Sequence, residues 1–133
     1  MKVRLLLFVC LMIGFVSCDY ENNVYYLVEN NTQDSVRLSY SYAANYFDEN
    51  KTDTSIVLSP YQKDTIFDYT QISSSVYNPE SESRIINVLF NHIIRLRDSA
   101  SIQKDASLRK NWDFFVTGKY SAVLGFVIED TDW

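Results

Sequence analysis

Two stretches of this chain alternate with a period of two. Tyr120–Ile128 sets Tyr120, Ala122, Leu124, Phe126 and Ile128 against Ser121, Val123, Gly125 and Val127. Ser35–Ala43 sets Val36, Leu38, Tyr40 and Tyr42 against Arg37, Ser39 and Ser41. Alternation of this length puts one apolar set on one face of an extended strand and gives a helix no coherent stripe. A strand with one apolar face must bury it against a second layer. The composition agrees, with 10 Tyr and 8 Phe against only 3 Gly and 2 Pro. Aromatic and β-branched side chains fit a pleated, half-buried surface.

The rest of the chain is read around these two strands. Val24–Glu29 (VYYLVE) is apolar on both faces, as expected of a strand covered by neighbours. Its short polar link, Asn30–Asp34, predicts a hairpin with Ser35–Ala43. Ala44–Thr54 reads as a loop. Ser55–Leu58 is a short strand ended by Pro60, which offers no ladder donor. Gln62-Lys63 turns the chain, and Asp64–Tyr69 returns with Ile66 on one side and Thr65, Phe67 and Tyr69 on the other. Thr70–Ser83, Ser-rich and containing Asn78-Pro79, is a long connection.

Arg84–Arg97 (RIINVLFNHIIRLR) carries two patterns. Ile86, Leu89, Phe90 and Ile93 fit a helical stripe. His92, Ile94 and Leu96 alternate against Ile93, Arg95 and Arg97, with Asn91 dividing the run, and two strands are expected. Asp98–Asn111 is polar, with a short helix expected around Ile102–Lys110. Trp112, Phe114 and Val116 alternate against Asp113 and Phe115, and Thr117-Gly118-Lys119 predicts a tight hairpin. Gly125 marks a bulge or a close contact. Seven or eight short strands without a βαβ rhythm predict an all-β fold, a single antiparallel β-sandwich of immunoglobulin-like type.

The N-terminus is built differently. Lys2 and Arg4 precede the apolar run Leu5–Val16, then Ser17 and Cys18, and the chain turns polar at Asp19. This is the layout of a secretory signal. The run is too short to span a bilayer, which takes roughly 20 residues. Phe15-Val16-Ser17-Cys18 resembles the lipobox of bacterial lipoproteins, although Phe15 stands where Leu is usual. The resemblance implies cleavage between Ser17 and Cys18, with lipid on Cys18. Several acyl chains anchor stably where a single chain binds reversibly. The expected organisation is a signal peptide over 1–17, a lipidated Cys and polar tether over 18–23, and a sandwich domain over 24–133. Cys10 leaves with the signal and Cys18 carries lipid, so the mature domain would hold no thiol and no disulfide. Asp19 and Glu21 resemble the acidic signals that send Bacteroidetes lipoproteins to the outer surface. Val28-Glu29-Asn30, Asp34–Leu38, Ile56–Pro60, Asn111-Trp112 and the closing Ile-Glu-Asp resemble small lipoproteins of that group. The resemblance implies fold and habitat, a bacterial cell envelope and its outer membrane, but no activity.

The chemistry open to the chain is narrow. A net charge of −5 and no basic stripe give nucleic acid no footing. With 3 Gly, neither GxGxxG nor a P-loop can be written. His92 is the one histidine; no GxSxG elbow surrounds any serine, and His92 reads as a partly buried structural residue. Zinc sets are excluded, and no cofactor or metal is expected. Asp48, Asn50 and Thr52 begin an EF-like loop, but Asp53 replaces its glycine and Ser59 its glutamate. Asp34-Ser35, Asp64-Thr65 and Asp98-Ser99 resemble Asp-Ser/Thr glycosylation sites of Bacteroidetes; such pairs are also common turn chemistry.

Aromatic residues near loops are the remaining lead. Tyr46 and Phe47 lie in the Ala44–Thr54 loop, and Tyr61, Tyr69 and Tyr77 lie near others, whereas Tyr40 and Tyr42 share the core face with Val36 and Leu38. Tyrosine joins an apolar ring to a polar tip and suits binding surfaces. The expected function is a lipid-anchored envelope module that binds carbohydrate or an envelope protein through Tyr46 and Phe47, without catalysis. The alternatives are a structural subunit of an envelope or adhesive assembly and, third, a small hydrolase.

Overall fold

In the computed structural model, residues 20–42, 51–73, 85 and 88–133 are described. They form seven strands: β1 (Tyr20–Asn30), β2 (Val36–Tyr42), β3 (Thr52–Leu58), β4 (Lys63–Ser73), β5 (Val88–Arg95), β6 (Asp113–Gly118) and β7 (Ser121–Ile128). Two sheets face each other, one ordered β4-β1-β7-β6 and the other β3-β2-β5. The fold is an all-β two-layer sandwich, as the alternation predicts.

The four-plus-three division is that of the constant-type immunoglobulin sandwich, but the strand order is not its A-B-E-D over C-F-G. Every neighbouring pair is antiparallel except β1 and β7, which run parallel over Asn23–Asn30 and Ser121–Ile128. That pairing joins the first and last strands of the described domain at the centre of the larger sheet.

One core cluster fills the space between the sheets. Val24, Tyr26, Val28, Leu124, Phe126 and Ile128 come from one side, and Val36, Leu38, Tyr40, Leu58, Val88 and Ile93 from the other. Trp112 lies among them, its ring 5.9 Å from Tyr26, 5.2 Å from Phe126 and 5.8 Å from Phe90. Its indole N–H donates to the Ala106 carbonyl at 2.8 Å, so the large ring is buried with its polar atom satisfied. The Tyr40 hydroxyl reaches across the core to the Ile66 carbonyl at 3.0 Å, and burial raises its pKa.

The expected hairpin of β1 with β2 does not form. β1 pairs with β4 and β7, β2 pairs with β3 and β5, and the two lie in opposite sheets. Asn30, fully buried at the end of β1, explains the crossing. Its amide nitrogen donates to Asp34 O at 2.8 Å and to Ser59 O at 2.9 Å, and its amide oxygen accepts the Thr32 N–H at 3.2 Å. The link is thereby fixed between layers instead of folded back within one. The same holds for β3 and β4, separated by a turn at Pro60-Tyr61 in which Tyr61 takes a φ of 59°.

Three further local expectations are corrected. β1 starts at Tyr20, so Tyr20–Asn23 belong to a strand and not to a tether; Asn22 points into the sandwich and the Asn23 N–H donates to Tyr120 O at 2.8 Å. Val88–Arg95 is one strand, not two. The register slips between Ser39 and Tyr40, where Asn91 is the extra residue. The bulge reverses which positions face inward, so Val88 and Ile93 are both buried and His92 is exposed. Finally, the polar Asp98–Asn111 region forms turns with a single 3-10 turn at Arg109–Asn111 in place of the helix over Ile102–Lys110.

A candidate binding face on the four-stranded sheet

With Val24, Tyr26 and Val28 inward, β1 turns Asn23, Tyr25, Leu27 and Glu29 outward. The register aligns these with outward residues of the other strands. Tyr25 stands opposite Asp68 of β4 on one side and Val123 of β7 on the other, and Val123 stands opposite Phe115 of β6. The result is a row across four strands, Asp68–Tyr25–Val123–Phe115. Tyr25 is 38% and Phe115 56% exposed, both large values for aromatic residues. Two strand spacings separate them, on the order of 10 Å.

The next row is Thr65–Leu27–Gly125–Asp113. Gly125 is buried although it faces outward, because the Phe115 ring lies above it; a Cβ there would meet the ring edge at 3.7 Å. That distance is an ordinary contact, so a side chain as small as alanine would fit, and neither the bulge nor the close approach expected at Gly125 is found; the register shift of this pair lies at Val116/Gly118. Exposed carboxylates, Asp68 and Asp113, bound the apolar strip on its flanks, with exposed Thr65 and Thr70 beside them.

The outer face of the three-stranded sheet is ordered otherwise. Its rows are Val57–Arg37–Ile94, Ser55–Ser39–His92 and Asp53–Ser41–Leu89. Ser41 donates to Asp53 Oδ1 at 2.7 Å and accepts from Asn91 Nδ2 at 3.0 Å. The serine hydroxyl is thus engaged on both sides, and no hydrogen bond links His92 to a serine among the described residues. This cluster is a satisfied polar network.

A cleft of about 310 Å³ lies between β5 and the Ser101–Ser107 segment, lined by polar groups including Asn91, His92, Gln103 and Asp105. The one cation on its rim, Lys104, is turned elsewhere. Its ammonium donates to Val127 O at 2.7 Å, lies 3.7 Å from Asp132 Oδ2 and sits 5.1 Å above the Phe126 ring. Among the described residues no three His, Cys, Asp or Glu side chains group as metal ligands, and no helix is long and apolar enough to cross a membrane.

The residues singled out from sequence fall elsewhere. Ser17, Cys18, Tyr46, Phe47, Tyr77 and the start of the EF-like loop, Asp48 and Asn50, lie outside the described residues. Tyr40 and Tyr42 pack in the core as expected, with Tyr42 5.2 Å from the Phe67 ring. Tyr61 is exposed at its turn and Tyr69 is half-buried beside Phe67. Sequence reasoning missed Tyr25 and Phe115. In the sequence each is one residue of an apolar strand, and only the register of β1, β7 and β6 brings them onto one line. No family model, no curated protein and no solved structure matches this chain.

Proposed function

We propose that this protein is a lipid-anchored binding module of a bacterial cell envelope, held at the outer membrane through Cys18, and that it captures a neutral glycan without catalysis. The observation that carries the binding part is the Tyr25–Val123–Phe115 row. A pyranose has a flat C–H face and a rim of hydroxyls. The ring faces of Tyr25 and Phe115 suit the first, and the carboxylates of Asp68 and Asp113 suit the second as acceptors. The strip is narrow: a standard protein partner covers roughly 800 Å² with some 20–30 residues. The net charge of −5 opposes an anionic ligand. Of the two ligand classes expected from sequence, carbohydrate or envelope protein, this reading keeps the carbohydrate, and it seats it on the sheet face instead of at Tyr46 and Phe47.

Affinity electrophoresis tests this reading. Neutral β-linked polysaccharide in a native gel is expected to retard the protein, and Tyr25→Ala with Phe115→Ala to abolish the retardation. His92→Ala should leave it unchanged. Retardation that survives the double replacement refutes the site. The anchor has its own test, since Cys18→Ser should move the protein from the membrane to the soluble fraction.

The alternative, a subunit of an envelope or adhesive assembly, has one observation in its favour: among the described residues, β6 ends the larger sheet with no strand or loop paired to its outer edge.

A further inference from the structure

Four strands end the two sheets, and three of them carry devices that discourage pairing. β4 has a bulge opposite Tyr26/Leu27 and carries Lys63, Asp64 and Asp68. β5 is crossed by the returning chain: Ser101 bridges Ile94, the Arg95 N–H donates to Ala100 O at 2.9 Å, and the Ile102 N–H donates to Ile93 O at 3.0 Å. β3 carries the charge of Asp53 and stops just before Pro60. Charges, bulges, proline and covering loops are the usual means of blunting an edge.

β6 has few of them. From Phe114 to Thr117 it holds neither charge nor proline, and its one register shift lies at the hairpin end, between Val116 and Gly118. It also presents two exposed apolar side chains at consecutive positions and therefore on opposite faces, Phe115 at 56% and Val116 at 72% exposed. Val116 stands opposite Ala122 at the edge of the sheet, and the described residues leave it largely uncovered.

We propose that β6 pairs antiparallel with β6 of a second copy, about a two-fold axis at Phe115. In this register Phe115 stands opposite the partner's Phe115, and Val116 opposite the partner's Phe114. Asp113 faces the partner's Thr117 and Lys119 the partner's Asn111, so no like charges meet. A two-fold contact requires such self-complementarity. Aromatic pairs directly across antiparallel strands are among the stabilising ones. Pairing covers Val116 and joins the two four-stranded sheets into one. The aromatic row becomes continuous, Tyr25–Val123–Phe115 followed by the partner's Phe115, Val123 and Tyr25. The pairing rests on the edge strand alone and stands whether or not the row binds glycan.

The test uses the full chain in detergent. Sedimentation is expected to give a dimer, and Val116→Lys to reduce the protein mass twofold, since an edge lysine opposes pairing. Val116 lies outside the core, so far-UV circular dichroism should not change. Residues facing each other across an antiparallel pair are about 4.5–5.5 Å apart at Cα, within disulfide range. Phe115→Cys should therefore form a covalent dimer on mild oxidation, above the background of the native cysteines shown by the wild type. Asp113→Cys, whose two copies are several residues apart along the paired strands, should stay at that background. A wild-type monomer at every concentration, an unchanged mass for Val116→Lys, or equal linking by Phe115→Cys and Asp113→Cys would each overturn the proposal.

Discussion

The two outer faces of this sandwich treat their apolar residues in opposite ways. On the three-stranded sheet, Val57 and Ile94 are separated by Arg37, and Leu89 stands beside Ser41 and Asp53. No two apolar side chains are cross-strand neighbours in these rows, and single exposed apolar residues are ordinary on any protein surface. On the four-stranded sheet, Tyr25, Val123 and Phe115 are contiguous across three strands. Contiguity turns scattered residues into a surface that gains free energy when covered.

The largest effect that sharpens this contrast comes from two adjacent tyrosines of β1. Tyr26 is 1% exposed, with its ring 5.7 Å from Phe67 and 5.9 Å from Trp112. Truncating a buried large aromatic costs about 3–5 kcal/mol. Tyr26→Ala should therefore lower the urea-unfolding free energy by that amount. Tyr25→Ala, one residue away on the outer face, should cost about 1 kcal/mol or less, the span of strand propensities. Equal losses would mean that Tyr25 is a structural residue and that the outer row has no binding role.

The contrast also marks what the sequence makes legible. Alternation in Val36–Tyr42 and Ser121–Ile128 discloses strands and their inward faces, because side-chain period is a local property. Pairing is not local. Asn30 looks like part of a polar turn, yet it is a buried clamp that sends β2 into the other sheet. Asn91 looks like a break between two strands, yet it is a bulge within one, and the reversal of faces after it moves His92 from the core to solvent. The Tyr25 row depends on three registers at once, one of them the parallel match of the first and last strands, so no local pattern could disclose it. The case for Tyr46 and Phe47 is that loops of sandwiches often carry function; that is a general tendency and not a property of these two residues.

An intermediate effect separates the polar face from the apolar one. Ser41 is buried, and its hydroxyl joins Asp53 to Asn91. Ser41→Ala leaves both partners short of a hydrogen bond, at a cost of about 1–3 kcal/mol. Ser39→Ala, on the same strand and face but with only a 3.4 Å contact to Ser55, should change the unfolding free energy by about 0.5 kcal/mol or less. Comparable losses at the two serines would show that the Asp53–Ser41–Asn91 chain is not what stabilises this face.

The smallest effect is a dependence on acid that belongs to the three-stranded side. Where the chain turns after β5, Asp98 accepts from Arg95 at 2.8 and 3.1 Å and from the Ala100 N–H at 3.1 Å. The Arg95 hydrogen bonds first, and then the backbone bond, hold its carboxyl below the ordinary value of 3.8. A carboxyl with a lower pKa folded than unfolded contributes stability above its unfolded pKa and loses it as pH falls through the folded value. The contribution is therefore full at neutral pH and is lost progressively as the pH falls below about 3.8. Asp98 is exposed although Arg95 is largely covered, so screening on the Asp98 side keeps it small. Asp98→Asn should flatten the acid limb of the stability–pH curve in that window while leaving glycan retardation at neutral pH unchanged. An acid limb identical to that of the wild type would remove Asp98 as its source. Lost retardation would mean that the turn after β5 is coupled to the Tyr25 row on the opposite sheet.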